Sequence, residues 1–350
     1  MKGLKCIIRF IFFLIFFGAR AQEGAITLVA VGDIMMGTDF PSKNFLLPKG
    51  VRPFENVREA LSGDLLFGNL EGAMTDTGTN AKHCKDPSKC YSFKMPERYG
   101  EFLYQAGFDL MSIANNHIGD FGREGILNTI KTLKKYGIRF AGVTGHEYVI
   151  FEKDSIKYGF CAFAPNNDTP KIYNLKKAVE IVQKLKSSGV DIIIVSFHGG
   201  AEGSRYTHVP RKTEYFYGEN RGNVYRFAHA MIDAGADVVL GHGPHVPRAI
   251  EIYRDRFIIY SLGNFCTYGR FSLRGPKGYA PILRIKIDRT GRFISGKIVS
   301  AKQESNVCPY IDPQQNAFKL IKKLTREDFP EVPLIFLDDG TFYLDKNRLR

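Results

Sequence analysis

Six times along this chain a short, almost continuously apolar run stops at a residue able to hold a metal or move a proton. Residues 26–31 lead into Gly32-Asp33, residues 64–67 into Gly68-Asn69-Leu70-Glu71, and residues 108–113 into Ala114-Asn115-Asn116-His117. Farther on, residues 190–196 lead into Phe197-His198, residues 236–240 into Gly241-His242-Gly243-Pro244-His245, and residues 257–260 into Ser261-Leu262-Gly263-Asn264. Such runs, without polar alternation, fit strands buried on both faces, as in α/β sheets. Helical periodicity fills the gaps. Residues 122–136 align Ile126, Ile130 and Leu133, with Asp120 near the start and Gly137 at the stop. Residues 174–188 align Ala178, Ile181, Val182 and Leu185, and residues 222–234 align Val224, Phe227, Met231 and Ile232. Residues 282–300 change to a hairpin pattern around Arg289-Thr290-Gly291. With no internal repeat and no long linker, the expectation is one α/β domain over residues 25–300. A Lys-rich, irregular tail packed on the surface is expected over 301–350.

Ligands of open α/β sheets bind outside the carboxyl ends of the strands, which makes the strand-end residues the candidates. One histidine at such a place is usually just a hydrogen-bonded residue. Here His117, His198, His242 and His245, half of the chain's eight histidines, all fall there, together with Asp33 and Glu71. Carboxylate, imidazole and amide oxygen form a ligand set for manganese, zinc or iron. Two such ions roughly 4 Å apart clamp a phosphate-like group and activate a water. Gly32 and Gly37 lack the spacing of a nucleotide-binding loop, which excludes a P-loop or dinucleotide-binding reading.

The chain is 350 residues long with a net charge of +13, so it can bury a core without metal or disulfide and favours an anionic partner. Residues 1–21 combine Lys2, Lys5 and Arg9, an apolar run over 10–18 and Ala19-Arg20-Ala21, the layout of a secretory signal peptide. The run is short of the ~20 residues that span a bilayer, and a short uncleaved anchor is the alternative. Cleavage would remove Lys2, Lys5, Arg9 and Arg20 and no acid, leaving +9. The expected location is periplasmic or cell-surface, and no zinc-finger spacing or aromatic-basic run argues for nucleic acid. Cys84 and Cys90 bracket a polar turn and could close a small disulfide outside the cytoplasm. Residues 203–226 mix Arg205, Arg211, Lys212, Arg221 and Arg226 with four tyrosines, a combination suited to carboxylates through bidentate arginine contacts or else a solvated basic loop. Glu202, four residues past His198, is a candidate for the same site.

Gly32-Asp33, Asn69-Leu70-Glu71-Gly72, Ala114-Asn115-Asn116-His117, Gly241-His242-Gly243-Pro244-His245-Val246 and Tyr260-Ser261-Leu262-Gly263-Asn264-Phe265, in this order, resemble the CapA family of capsule-synthesis proteins. That family serves poly-γ-glutamate production and is related to calcineurin-like metallophosphoesterases. The similarity covers roughly residues 26–268. It implies a four-layer α/β sandwich of two mostly mixed sheets flanked by helices, and a partner of membrane-bound polymer synthase. Carried over, one metal position is Glu71, Asn116, His198 and His242; the other is Asp33, Glu71 and His245. The second lacks the usual histidine two residues after Asp33, where this chain has Met35. His117, beside Asn116, corresponds to the histidine that protonates a leaving group or steadies the transition state. Related sequences carry the first histidine of the His-Pro-His motif at the position of Gly243, which leaves the register of His242 open. Asn69, Asn115, Glu202, Arg205, Arg211 and Asn264 are the expected substrate contacts. Two functions follow: an exported capsule accessory protein binding or processing an anionic polymer at a metal-organised cleft, or a secreted metal-dependent phosphoesterase. A metal-free scaffold is the third and lesser reading.

Overall fold

The computed structural model describes residues 24–82, 90–345 and 347. The expected signal segment 1–21 and Cys84 lie outside them; Cys90 is disulfide-bonded. Four strands come first: β1 (Ile26–Met35), β2 (Leu65–Leu70), β3 (Leu110–Ser112) and β4 (Arg139–Ala141). Six follow: β5 (Tyr148–Lys153), β6 (Ile156–Phe163), β7 (Ile192–His198), β8 (Val238–His242), β9 (Ile250–Tyr253) and β10 (Arg256–Ile259). The last are β11 (Asn264–Thr267), β12 (Tyr279–Ile287), β13 (Phe293–Lys302), β14 (Leu334–Phe336) and β15 (Thr341–Leu344). The helices are α1 (Gly100–Ala106), α2 (Gly122–Lys135), α3 (Leu175–Ser187), α4 (Val224–Ala234) and α5 (Asn316–Asp328).

One sheet has the order β14-β15-β13-β12-β1-β2-β3-β4, with β11 also on β1 and the two-residue strand Tyr310–Ile311 on β13; the other runs β9-β10-β8-β7-β6-β5. Both are mixed. The centres, β1-β2-β3-β4 and β10-β8-β7-β6, are parallel, and the antiparallel strands sit outside them.

Strand alternation makes the layers. On β1, Leu28 and Ala30 face Phe160, Ile194, Leu240 and Ile259 of the other sheet, while Val29 and Val31 join Ile126, Ile130 and Leu133 of α2. On β7, Ile192 and Ile194 point between the sheets, and Ile193 and Val195 meet Ile181 of α3 and Phe227 of α4. Helix, sheet, sheet, helix: the four-layer α/β sandwich is the architecture found.

The carboxyl-terminal stretch departs from the irregular tail expected. Its helix α5 sends Phe318 and Ile321 into the layer between the sheets and Leu324 into the core beneath α3 and α4. The strands β14 and β15 extend the first sheet, with Phe342 fully buried. Lys319, Lys322 and Lys323 alternate with the apolar positions of α5, so the stretch reads as basic although one stripe is buried.

Two close approaches bring the strand ends together. After β10 the chain crosses from one sheet to the other and pairs β11 with the end of β1, Asn264 opposite Asp33. Asn264 thus begins a strand of the first sheet rather than finishing a strand of the second. The crossing passes so near β1 that a Cβ on Gly32 would lie 1.9 Å from the Gly263 carbonyl oxygen. The Asp33 amide donates to that same oxygen at 2.9 Å. Gly32→Ala is therefore expected to cost about 3 kcal/mol, measured by urea unfolding; a loss under about 0.5 kcal/mol would show that the crossing gives way freely.

Candidate metal centre

Asp33, Asn69 and Glu71 from the first sheet converge on His198, His242 and His245 from the second. Asp33, Glu71, His198 and His242 are fully buried. Asn69 Nδ2 donates to Asp33 Oδ1 at 2.8 Å, and His245 Nδ1 lies 2.9 Å from Asp33 Oδ2. His242 Nδ1 lies 3.3 Å from Asp33 Oδ1 without the alignment of a hydrogen bond. His245 Nε2 is 3.5 Å from Glu71 Oε1 and 3.9 Å from Glu202 Oε2. A donor atom from each of Asp33, Glu71 and His245 falls within 4.8 Å of the other two. His245 holds its place with φ of 56°, a left-handed conformation uncommon for a non-glycine residue.

The register of the histidine motif has a steric answer. Gly243 has φ of 115°, and a Cβ there would lie 2.6 Å from the Gly199 carbonyl oxygen and 2.7 Å from its amide nitrogen. No side chain fits at 243, and the imidazole facing Asp33 belongs to His242.

The unpaired atoms are informative. Eleven buried side-chain nitrogens and oxygens among the described residues lack a hydrogen-bond partner, and six of them are both oxygens of Glu71, Oδ1 of Asn116, Nδ1 of His198 and both ring nitrogens of His242. Orphaned buried polar atoms are costly and rare, and here they concentrate on the four residues of one inferred metal position. The donors fit a divalent ion of the manganese, zinc or iron kind. Met35 packs into the outer core instead.

The electrostatics are uneven. Burial would raise the Asp33 carboxyl, but its neighbours His242 and His245 hold it well below the usual carboxylate range. Burial and the adjacent Asp33 charge push Glu71 well up. Burial opposes a charged His245, yet Glu71, Asp33 and Glu202 together raise it to about 10. His198 is driven down by burial and by the Arg221 guanidinium, whose Nη2 lies 3.4 Å from His198 Nε2 and 2.8 Å from Glu202 Oε1.

His117 sits to one side, its Nδ1 2.7 Å from Asp120 Oδ2 and 3.0 Å from Lys82 Nζ. Lys82 also meets Asp120 Oδ1 at 3.0 Å and the Asn116 carbonyl at 3.2 Å. Asp120 Oδ2, the nearer partner of Nδ1, can only accept, which puts the ring proton on Nδ1 and leaves Nε2 for proton exchange, while the Lys82 ammonium gives its hydrogens to Asp120 and the Asn116 carbonyl. Burial and Lys82 lower this histidine against the pull of Asp120. Between His117 and His245 stand Phe93 and Phe271, stacked at 4.9 Å, with Phe93 4.3 Å from the His117 ring and Phe271 5.5 Å from that of His245.

Several expected substrate contacts have other work. Asn69 holds Asp33. Asn115 donates to the Leu70 carbonyl at 2.8 Å and accepts from the His117 amide at 3.1 Å. Asn264 donates to the Lys277 carbonyl at 2.9 Å, and its Oδ1 is 3.1 Å from His245 Nδ1. All three are buried and position the first-rank groups. Arg211 pairs with Glu331 and lies over the rings of Tyr225 and Phe329. Glu202 does join the site, and Arg205 is exposed on the loop beyond it. Lys82, Phe93 and Phe271 carry no mark in the sequence, and Asp120, expected only at a helix start, instead holds His117 Nδ1 and the Phe93 amide.

The model of the bacterial capsule synthesis protein family PGA_cap matches residues 27–268. The chain belongs to that family. It is 26% identical over 265 residues to a capsule biosynthesis protein CapA of Bacillus anthracis, covering 70% of this chain and 60% of that one. It is 28% identical over 292 residues to a PGA biosynthesis protein CapA of Bacillus subtilis, covering 75% and 68%. The chain thus spans about three fifths of the length of the B. anthracis relative. A solved phosphatase structure from Mycoplasma pneumoniae is similar at a TM-score of 0.48 and 16% identity, over 85% of this chain and 99% of that one.

Proposed function

We propose that this capsule-family chain is exported and binds or processes an anionic polymer of the poly-γ-glutamate kind, at a cleft organised by a divalent metal ion. The observation that carries the reading is the concentration of unpartnered buried donors on Glu71, Asn116, His198 and His242. Those residues, with Asp33 and His245, would hold the ion. When bound, it supplies Lewis-acid polarisation of a carbonyl or phosphoryl oxygen. The chain's own groups do the rest. Arg221 neutralises Glu202 beside His198, and the amides of Asn69 and Asn264 fix Asp33 and His245. His117, oriented by Asp120, is placed to give or take a proton at Nε2. The net charge of +13 favours a polyanion, and a membrane-bound polymer synthase is the proposed partner.

The His117-Asp120 pair favours a second reading, hydrolysis of a phosphate ester. The two are separated by assaying an aryl phosphodiester and a γ-glutamyl polymer side by side with manganese. Under the capsule reading the chain binds or cleaves the polymer, binding weakens at least tenfold in His242→Ala, and phosphodiester turnover stays at background. Phosphodiester turnover that falls about a hundredfold or more in His117→Ala, with no polymer binding, would replace the capsule reading by the second.

A further inference from the structure

Outside the metal centre, the pair of side chains with the most unspent chemistry is Cys266 and Cys308. Cys266 is on β11, in register with Ile34 of β1, and is almost completely buried. Cys308 belongs to the loop between β13 and the strand Tyr310–Ile311, a hairpin whose feet are fixed by the pairs Ala301 to Ile311 and Lys302 to Tyr310. The loop lies against β11. Gln303 Oε1 accepts from the Thr267 amide at 2.9 Å, and the Gln303 amide donates to the Gly278 carbonyl at 2.9 Å. Cys308 packs on the same apolar cluster that contains Cys266, both are free thiols in the structure, and each is near enough to act on the ionisation of the other.

We propose that Cys266 and Cys308 form a disulfide that pins the 303–309 loop to β11, the strand whose first residue, Asn264, contacts the imidazole of His245. Two thiols brought side by side from positions 42 residues apart in the chain, in a protein that already carries a disulfide at Cys90, are set for oxidation. The chemistry is thiol–disulfide exchange with an external low-molecular-weight disulfide. Cys308, the partly exposed member, attacks one sulfur of that disulfide as its thiolate and releases the first external thiolate. Cys266, giving up its proton, then attacks the Cys308 sulfur and releases the second. The protein loses two electrons and two protons, and the external disulfide becomes two thiols. Contact with Cys266 lowers the Cys308 thiol, which favours it as the first nucleophile, while burial raises Cys266. Cys161, fully buried and not disulfide-bonded, serves as an internal control.

The test is to incubate the full chain with oxidised glutathione, block free thiols, and map tryptic peptides by mass before and after reduction. The expected product joins peptide 257–270 to peptide 303–319, with Cys161 alkylated. Oxidation should also raise the thermal midpoint by about 5 °C, a rise absent in Cys308→Ser and in Cys266→Ala. Cys308→Ser keeps the loop polar and Cys266→Ala keeps the strand small, so loss of folding in one leaves the other readable. Alkylation of both cysteines after oxidation, or glutathione retained on Cys308 with Cys266 free, overturns the proposal. These outcomes require neither metal nor polymer, so they stand apart from the function proposed above.

Discussion

Replacing Glu71 by glutamine is expected to move stability in opposite directions with and without metal. In metal-stripped protein the wild-type carboxylate is fully buried, neither oxygen has a hydrogen-bond partner, and Asp33 adds a second negative charge. Its nearest cationic neighbour, His245, lies 3.5 Å away and is already engaged by Asp33, and the pull of Arg221 is the weaker of the two. Burial and Asp33 push this carboxyl towards its protonated form, so folding at neutral pH must either bury its charge or give it a proton; Glu71→Gln removes that cost at nearly constant volume and should stabilise the stripped chain by about 1–3 kcal/mol. With manganese at a hundred times its dissociation constant, wild type should gain about 2.7 kcal/mol by mass action. The variant, lacking the anionic ligand, should gain almost none. Urea unfolding of both proteins, stripped and with manganese, reads all four values. An equal metal response in the two, or a stripped variant weaker than stripped wild type, would mean that Glu71 serves the fold rather than an ion.

That expectation was largely legible in the sequence, and the reason is local. A parallel strand must be apolar along its buried length, so the first polar residue after it marks where the backbone leaves the sheet. Asp33, Glu71, His198 and His242 announced themselves in this way. The helices α2, α3 and α4 were legible because each buries one stripe against a sheet. Three kinds of feature were not. β6 ends in Ala164-Pro165-Asn166, without the acid or histidine that distinguishes the other strand ends, although it lies beside β7, one strand in from the edge of its sheet. α5 hides its apolar stripe among lysines. The remaining misses are matters of distance: nothing local ties Lys82 to Asp120, Phe93 to Phe271, or Arg211 to Glu331, because those partners meet only through long-range topology. The sequence marks the asparagines as substrate contacts, and in the structure their side-chain amides bond groups of the protein itself. A side-chain amide at a strand end looks the same in sequence whether it faces a ligand or a neighbour's carboxylate.

Arg248→Met is expected to destabilise the chain by about 3–5 kcal/mol, the largest effect of any single change away from the metal centre. Arg248 has no exposed surface, and its guanidinium forms a two-pronged pair with Glu214, Nη2 to Oε1 at 2.7 Å and Nη1 to Oε2 at 3.0 Å. Its Nε donates to the Tyr206 carbonyl at 2.8 Å. Glu214 also accepts from the Ala201 amide at 3.1 Å, and its backbone exchanges hydrogen bonds with Arg221 and Gly222. One buried pair therefore ties both ends of the 199–222 loop to the segment just before β9. Removing the arginine strands a buried carboxylate, whereas replacing both charges by apolar groups does not. The double variant Arg248→Met/Glu214→Leu should accordingly recover at least about 2 kcal/mol of the loss. Because the loop carries Glu202 and Arg221, the single variant should also open the backbone between 203 and 220 to limited proteolysis at denaturant concentrations where wild type resists. Additive single and double effects, with no new cleavage in that stretch, would show that the loop is held by its apolar contacts and that the ion pair is incidental to the site.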